Sequence, residues 1–139
     1  LQTATFAQQV LVELLSRDGW LDARIEQLRQ ARAPRAEALV AALRERLGDR
    51  IEIDVPLGGM FTWATFPGCP LDTDELLPVA LDHGVAFVPG SAFDHRHRPT
   101  LSARLCCTSL DVDGLRVAAS RLADVVDAAW QDRAAGSPS

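Results

Sequence analysis

Lysine is absent from the 139 residues, and all 14 basic side chains are arginines. Arginine stays protonated and cannot form the Schiff base that a lysine amine forms with a carbonyl compound, so this chain on its own carries no amine-nucleophile chemistry. Cysteine is scarce and odd in number. Cys69, Cys106 and Cys107 include two neighbours, whose side chains point to opposite faces of a strand; a disulfide framework is not expected, and a reducing, cytoplasmic compartment is. No run approaches the roughly 20 apolar residues of a membrane span. Leu1 to Thr5 has neither the basic region nor the apolar run of a secretory leader. A long positive stripe is also missing. With a net charge of −5, a pI near 5.1 and acids scattered among the arginines, nucleic acid is not an expected partner. Internal repeats and low-complexity tracts are lacking as well.

What is present suits one globular domain: 47% hydrophobic and 24% charged residues. At this length a chain buries roughly 68–70% of its unfolded surface, enough for a core without disulfides or metals. Ala7, Val10, Leu11, Leu14 and Leu15 recur at helical spacing almost from Leu1, with Thr5 and Gln8 in capping-box register. Since Leu1 is no initiator methionine, the chain is expected to begin inside a longer sequence. A second helix follows Asp18, with Leu21, Ile25 and Leu28 on one face and Leu39, Leu43 and Leu47 beyond Pro34. Pro34 is expected to kink or divide it, and Gly48 to stop it.

From Ile51 the period becomes two, predicting a strand through Val55, and after the Pro56-Leu57-Gly58-Gly59 turn a second strand from Met60 to Phe66. A short helix from Asp74 to His83 leads to Gly84 and a strand-like run, Val85 to Val88, closed by Pro89-Gly90. Ser91 to Thr100 reads as a polar loop. Leu101 to Thr108 alternates again, with Arg104 on the more polar face, and Asp111 caps a last helix carrying Leu115, Ala119, Leu122, Val126 and Trp130. Ala134 to Ser139 reads as a flexible tail. The order ααββαββα predicts an α+β fold, helices on a small, mostly antiparallel sheet.

Few residues invite chemistry. Asp94, His95 and His97 are ordinary metal ligands, but interleaved arginines oppose a dication and no further ligand stands at a recognisable spacing, so no metal site is assigned. His83 fits a helix C-terminus, and Asp72, Asp74 and Glu75 a helix start. Cys106 or Cys107 needs a nearby base to act as a nucleophile; at least one reads as a small core residue. Gly58-Gly59 and Pro89-Gly90 are turns, for neither opens a helix with a lysine behind it. Arg104 differs in kind: an arginine inside an apolar strand needs a carboxylate of its own fold, solvent or an anionic ligand.

Taken together, three segments resemble the C-terminal part of the class I/II, fold-type-I pyridoxal-phosphate aminotransferases, in the branch that contains 2-aminoadipate transaminase. They are Pro56-Leu57-Gly58-Gly59-Met60-Phe61-Thr62-Trp63, Gly84-Val85-Ala86-Phe87-Val88-Pro89-Gly90-Ser91-Ala92-Phe93 and Ala103-Arg104-Leu105-Cys106-Cys107-Thr108. Gln2 to Arg35, through Asp18-Gly19-Trp20-Leu21, is similar to the segment joining the large and small domains there. The resemblance covers nearly the whole chain. It implies a small domain with connecting helices over residues 1–133, a tail at 134–139, and a large cofactor-binding domain outside this chain.

By the same resemblance Arg104 binds the α-carboxylate of an amino acid or 2-oxo acid substrate, a role that suits a planar guanidinium making two parallel charge-assisted bonds. Cys106 stands where the family often has Asn. The Schiff-base lysine and the groups that hold pyridoxal 5'-phosphate lie upstream in the family, so this chain binds no cofactor covalently and is inactive alone. A homodimer is implied for the complete enzyme, and aromatic, acidic and aliphatic substrates all remain open. Two alternatives stand beside the enzyme. One is the effector-binding, aminotransferase-like half of a transcription regulator, which tends to have looser versions of the glycine motifs; the other is an independent α+β domain that binds a small acid or a partner protein.

Overall fold

In the computed structural model, which describes residues 4–135, the alternating segments become the two central strands of a four-stranded antiparallel sheet. In chain order the elements are α1 (Thr5–Leu15), α2 (Trp20–Leu47), β1 (Glu52–Ile53), β2 (Phe61–Thr65), α3 (Thr73–Asp82), β3 (Val88–Pro89), β4 (Ser102–Cys106) and α4 (Val112–Ala135). Single 3-10 turns occupy Gly48–Arg50 and Gly90–Phe93. This is the expected order ααββαββα, and the sheet order β1-β2-β4-β3 bears out the α+β reading. α4 runs through Ala135, and residues 136–139 of the expected tail lie outside the described residues.

The chain forms two compact units, residues 1–31 and 32–139. In the described part of the first, α1 has no buried residue, and Phe6, Val10, Leu11, Val12, Leu15, Leu21 and Ile25 are all exposed. The expected capping box is not formed. Ala4 is the N-cap and makes no side-chain bond, because Thr5 is already inside the helix and its hydroxyl no longer faces the free amides.

The second unit holds the core. Thr62, Ala64, Ala103 and Leu105 turn to the buried sheet face, where Leu39, Val40 and Leu43 of α2 and Leu115, Ala119, Leu122 and Val126 of α4 are buried with them. Each fully buried Leu or Val contributes about 1.5–3 kcal/mol. Asp111 caps α4 as expected, its Oδ1 accepting from the Gly114 amide at 2.8 Å.

Three expectations about element limits are corrected. α2 is not divided at Pro34 but runs through it to Leu47. Good helix formers flank the proline, and the residues after it, Ala36, Leu39, Val40, Leu43 and Leu47, are buried; together they offset the roughly 3 kcal/mol penalty of an interior proline. β1 is two residues, not five, because side chains claim the next carbonyls: Arg44 Nη2 donates to Ile53 O, and Thr62 Oγ1 donates to Asp54 O at 2.8 Å. β3 likewise begins only at Val88. Its expected first residue serves α3: the Val85 amide donates to Ala80 O at 3.0 Å and the Gly84 amide to Leu81 O at 2.9 Å, a C-terminal cap closed by Gly84 at φ +70°.

Candidate functional site

Antiparallel register places Trp63 of β2 and Val88 of β3 opposite Arg104 of β4, and Phe61 opposite Cys106. The period of two that buries Ala103 and Leu105 keeps Arg104 half-buried on the other, open face. Its guanidinium carbon lies 4.1 Å from the centre of the Phe61 ring and 4.9 Å from that of Phe93. Trp63 meets Phe93 edge to face, with ring centres 5.4 Å apart at 73°. Arg104 Nε is buried and has no hydrogen-bond partner. Among the described residues no carboxylate forms an ion pair with Arg104. A cation this far desolvated and left without an anion can take one from outside at little further desolvation cost.

The turn that carries Phe93 is held from both sides. A Cβ on Gly90 would lie 2.5 Å from Thr100 Cγ2 and 2.7 Å from Ser102 O, so only glycine lets this turn lie against the start of β4. Ser91 Oγ donates to Asp74 Oδ1 at 2.6 Å. The single hydroxyl hydrogen of buried Thr73 is shared between Thr100 O and Ser102 O, both 2.9 Å from Oγ1. Asp72 and Glu75 form the capping box of α3, the helix-start role expected of these acids. Gly90 therefore acts through shape, permitting the close approach of the turn that carries Phe93 to the start of β4.

Comparison with known proteins decides the family. The family model described as aminotransferase class I and II matches residues 2–122. The chain belongs to that family.

Among curated relatives, the aromatic-amino-acid aminotransferase 1 of Thermococcus litoralis is 35% identical over 124 residues, which cover 89% of this chain and 29% of that protein. The 2-aminoadipate transaminase of Thermus thermophilus is 32% identical over 114 residues, 82% of this chain and 28% of that protein. A solved α-aminoadipate aminotransferase from Thermus thermophilus, complexed with N-(5'-phosphopyridoxyl)-L-leucine, superposes with a TM-score of 0.75 at 30% identity, covering 88% of this chain and 31% of that one. The aminotransferase resemblance read from the sequence motifs is thereby borne out. The chain spans under a third of the length of each of these relatives.

The pyridoxal phosphate that the family implies finds no anchor in this aminotransferase chain. No lysine is present to form its Schiff base, and the groups described around Arg104 are the aromatic rings of Phe61 and Phe93. An open cleft of about 580 Å³ adjoins the site, lined by Trp63, Gly90, Phe93, Asp94, His95, Arg98, Pro99 and Thr100. Arg104 is not part of its wall; Trp63 and Phe93 are common to both.

The Asp94 to Arg98 loop is occupied with itself. Asp94 accepts from the Arg96 amide at 2.9 Å and from Arg98 Nε at 2.5 Å, and these bonds, the amide first, hold its carboxyl below the ordinary range. Arg96 Nε donates to His95 Nε2 at 3.2 Å. Among the described residues no group of three metal-ligating side chains converges. His83 Nδ1 lies 2.8 Å from Val79 O in the last turn of α3, as a helix C-terminus favours. Cys69 and Cys107 are buried, and burial pushes both thiols up. Cys106 is half-buried. Burial raises its thiol too, but hydrogen bonds from Thr108 and Ser109 outweigh that and leave it below the ordinary thiol value.

The sequence singled out Arg104, and the family resemblance set the segments that carry Phe61 and Phe93 at the edge of the active-site mouth, but neither gave their contact with the guanidinium. Phe61 and Trp63 share a strand face by the period of two, and that was the available signal; that they face Arg104 depends on register, and Phe93 comes from a segment with no strand pattern.

Proposed function

We propose that this chain is the C-terminal portion, residues 1–133, of a pyridoxal-phosphate-dependent amino acid aminotransferase, and that Arg104 grips the α-carboxylate of the amino or 2-oxo acid substrate. The observation that carries the reading is a half-buried guanidinium that forms no ion pair among the described residues, framed by aromatic rings on an open sheet face. Two charge-assisted bonds from one planar group fix the substrate's orientation, which a single ammonium does not. The lysine and the cofactor's other contacts come from the absent large domain, without which the chain is inactive. The exposed apolar side chains of residues 4–31 support a missing lobe that covers them. The complete enzyme acts as a cytoplasmic homodimer.

The test is to express the complete reading frame around this chain, follow cofactor absorbance, and compare it with Arg104→Gln. Removing two charge-assisted bonds should weaken 2-oxo acid binding by about 3 kcal/mol, roughly a hundredfold. A complete protein that never takes up pyridoxal phosphate, or an Arg104→Gln variant with undiminished affinity, overturns the reading.

A further inference from the structure

We propose that Phe61 and Phe93 are positioning residues that fix how Arg104 meets its ligand, so that the carboxylate is gripped by the terminal Nη1 and Nη2 edge of the guanidinium and not by the Nε side. This rests on the carboxylate reading of Arg104 and goes beyond it. A guanidinium offers two edges to a carboxylate, one formed by both terminal nitrogens and one by Nε with a single terminal nitrogen. In this structure Nε is buried and bonded to nothing. A donor shut away from water is equally shut away from an arriving carboxylate, so only the terminal edge can make two bonds.

The rings supply the restraint. An arginine side chain loses much rotational freedom when it is held in one pose. Phe61 at 4.1 Å and Phe93 at 4.9 Å from Cζ present their electron-rich faces to the cation, an attraction that grows with desolvation. They compensate in part for the bare Nε. Phe61 belongs to β2, and Phe93, though exposed, meets Trp63 edge to face at the end of a turn whose approach to β4 requires Gly90. β2 and the 90–93 turn therefore converge on one side chain of β4, and the arginine is organised before the ligand arrives, which lowers the ordering cost of binding.

The experiment uses the complete, pyridoxal-phosphate-loaded protein, with propionate, an unreactive monocarboxylate, as a competitive probe beside the substrate. Phe61→Leu and Phe93→Leu should each raise the propionate inhibition constant and KM by about threefold to fivefold, and the double variant by about tenfold, with kcat within twofold. Phe61→Tyr and Phe93→Tyr, which keep the ring, should stay within twofold of the parent. A double Leu variant within twofold of the parent, while Arg104→Gln loses propionate inhibition, overturns the clamp and leaves the carboxylate reading standing. An Arg104→Gln variant that is inhibited as before overturns the reading beneath it. Should the Leu variants fail to load cofactor, Phe61→Met and Phe93→Met are judged by the same limits. A structure of the propionate complex checks the edge directly: both oxygens on Nη1 and Nη2 support it, and an oxygen bonded to Nε overturns it.

Discussion

Cys106 stands two residues from Arg104 on the same half-buried strand face, and one peptide bond from Cys107 on the buried one. The thiol of Cys106 is held below its ordinary value while burial raises those of Cys69 and Cys107. More thiolate at neutral pH means faster alkylation. Iodoacetamide should therefore label Cys106 first in the native protein and reach the other two only on unfolding, as read by peptide mass spectrometry; equal labelling of all three contradicts the assignment. At Asp94 the sign is that of a depressed carboxylate. Its bonds to the Arg96 amide and Arg98 are fully formed above the ordinary value near about pH 3.9 and are lost as pH falls through the lower folded-state value. An NMR titration of the Arg96 amide should show no shift until the pH is below the ordinary carboxylate range.

Helix α3 is the element that sets the site, and its two ends are built differently. The Asp72 and Glu75 box satisfies the first amides, and the Gly84 and Val85 amides close the last carbonyls. Asp72→Ala should cost about 1 kcal/mol, seen as a lowered denaturation midpoint. Thr73→Val should cost about 1–3 kcal/mol, since it strips a buried hydroxyl donor from two carbonyls. Gly90→Ala drives a methyl into Ser102 O at 2.7 Å and should displace Phe93. The expected result is lost stability together with a weaker grip on carboxylates; an unchanged melting temperature contradicts the close approach. Element existence was legible here from turn residues and periodicity. The lengths of β1 and β3 were not, because the carbonyls of Ile53 and Asp54 and the amide of Val85 are claimed by groups that periodicity does not record.

At the scale of the molecule, every buried core residue among the described residues lies at Ala36 or beyond, within the unit that spans residues 32–139. Removing residues 1–31 should leave one cooperative unfolding transition with little change in midpoint, measured by circular dichroism; a chain that no longer unfolds cooperatively contradicts the division. Leu43→Ala opens a cavity at a fully buried position and should cost about 2–5 kcal/mol. Among the described residues no helix is long and apolar enough to cross a membrane.

The sequence by itself determined the order of elements, the α+β class, the absence of a lysine amine from the chemistry this chain can supply, and the identity of Arg104 as the side chain out of place in its strand. These follow from local rules: periods of two and of 3.6, turn residues, and the cost of burying a cation. Only the tertiary structure decided that Arg104 forms no ion pair among the described residues, that its Nε is buried, and that the rings of Phe61 and Phe93 lie against it. Those facts depend on strand register and on the close approach at Gly90, which bring together residues far apart in sequence. Pairing across the sheet is a property of the assembled fold, and no single segment carries it.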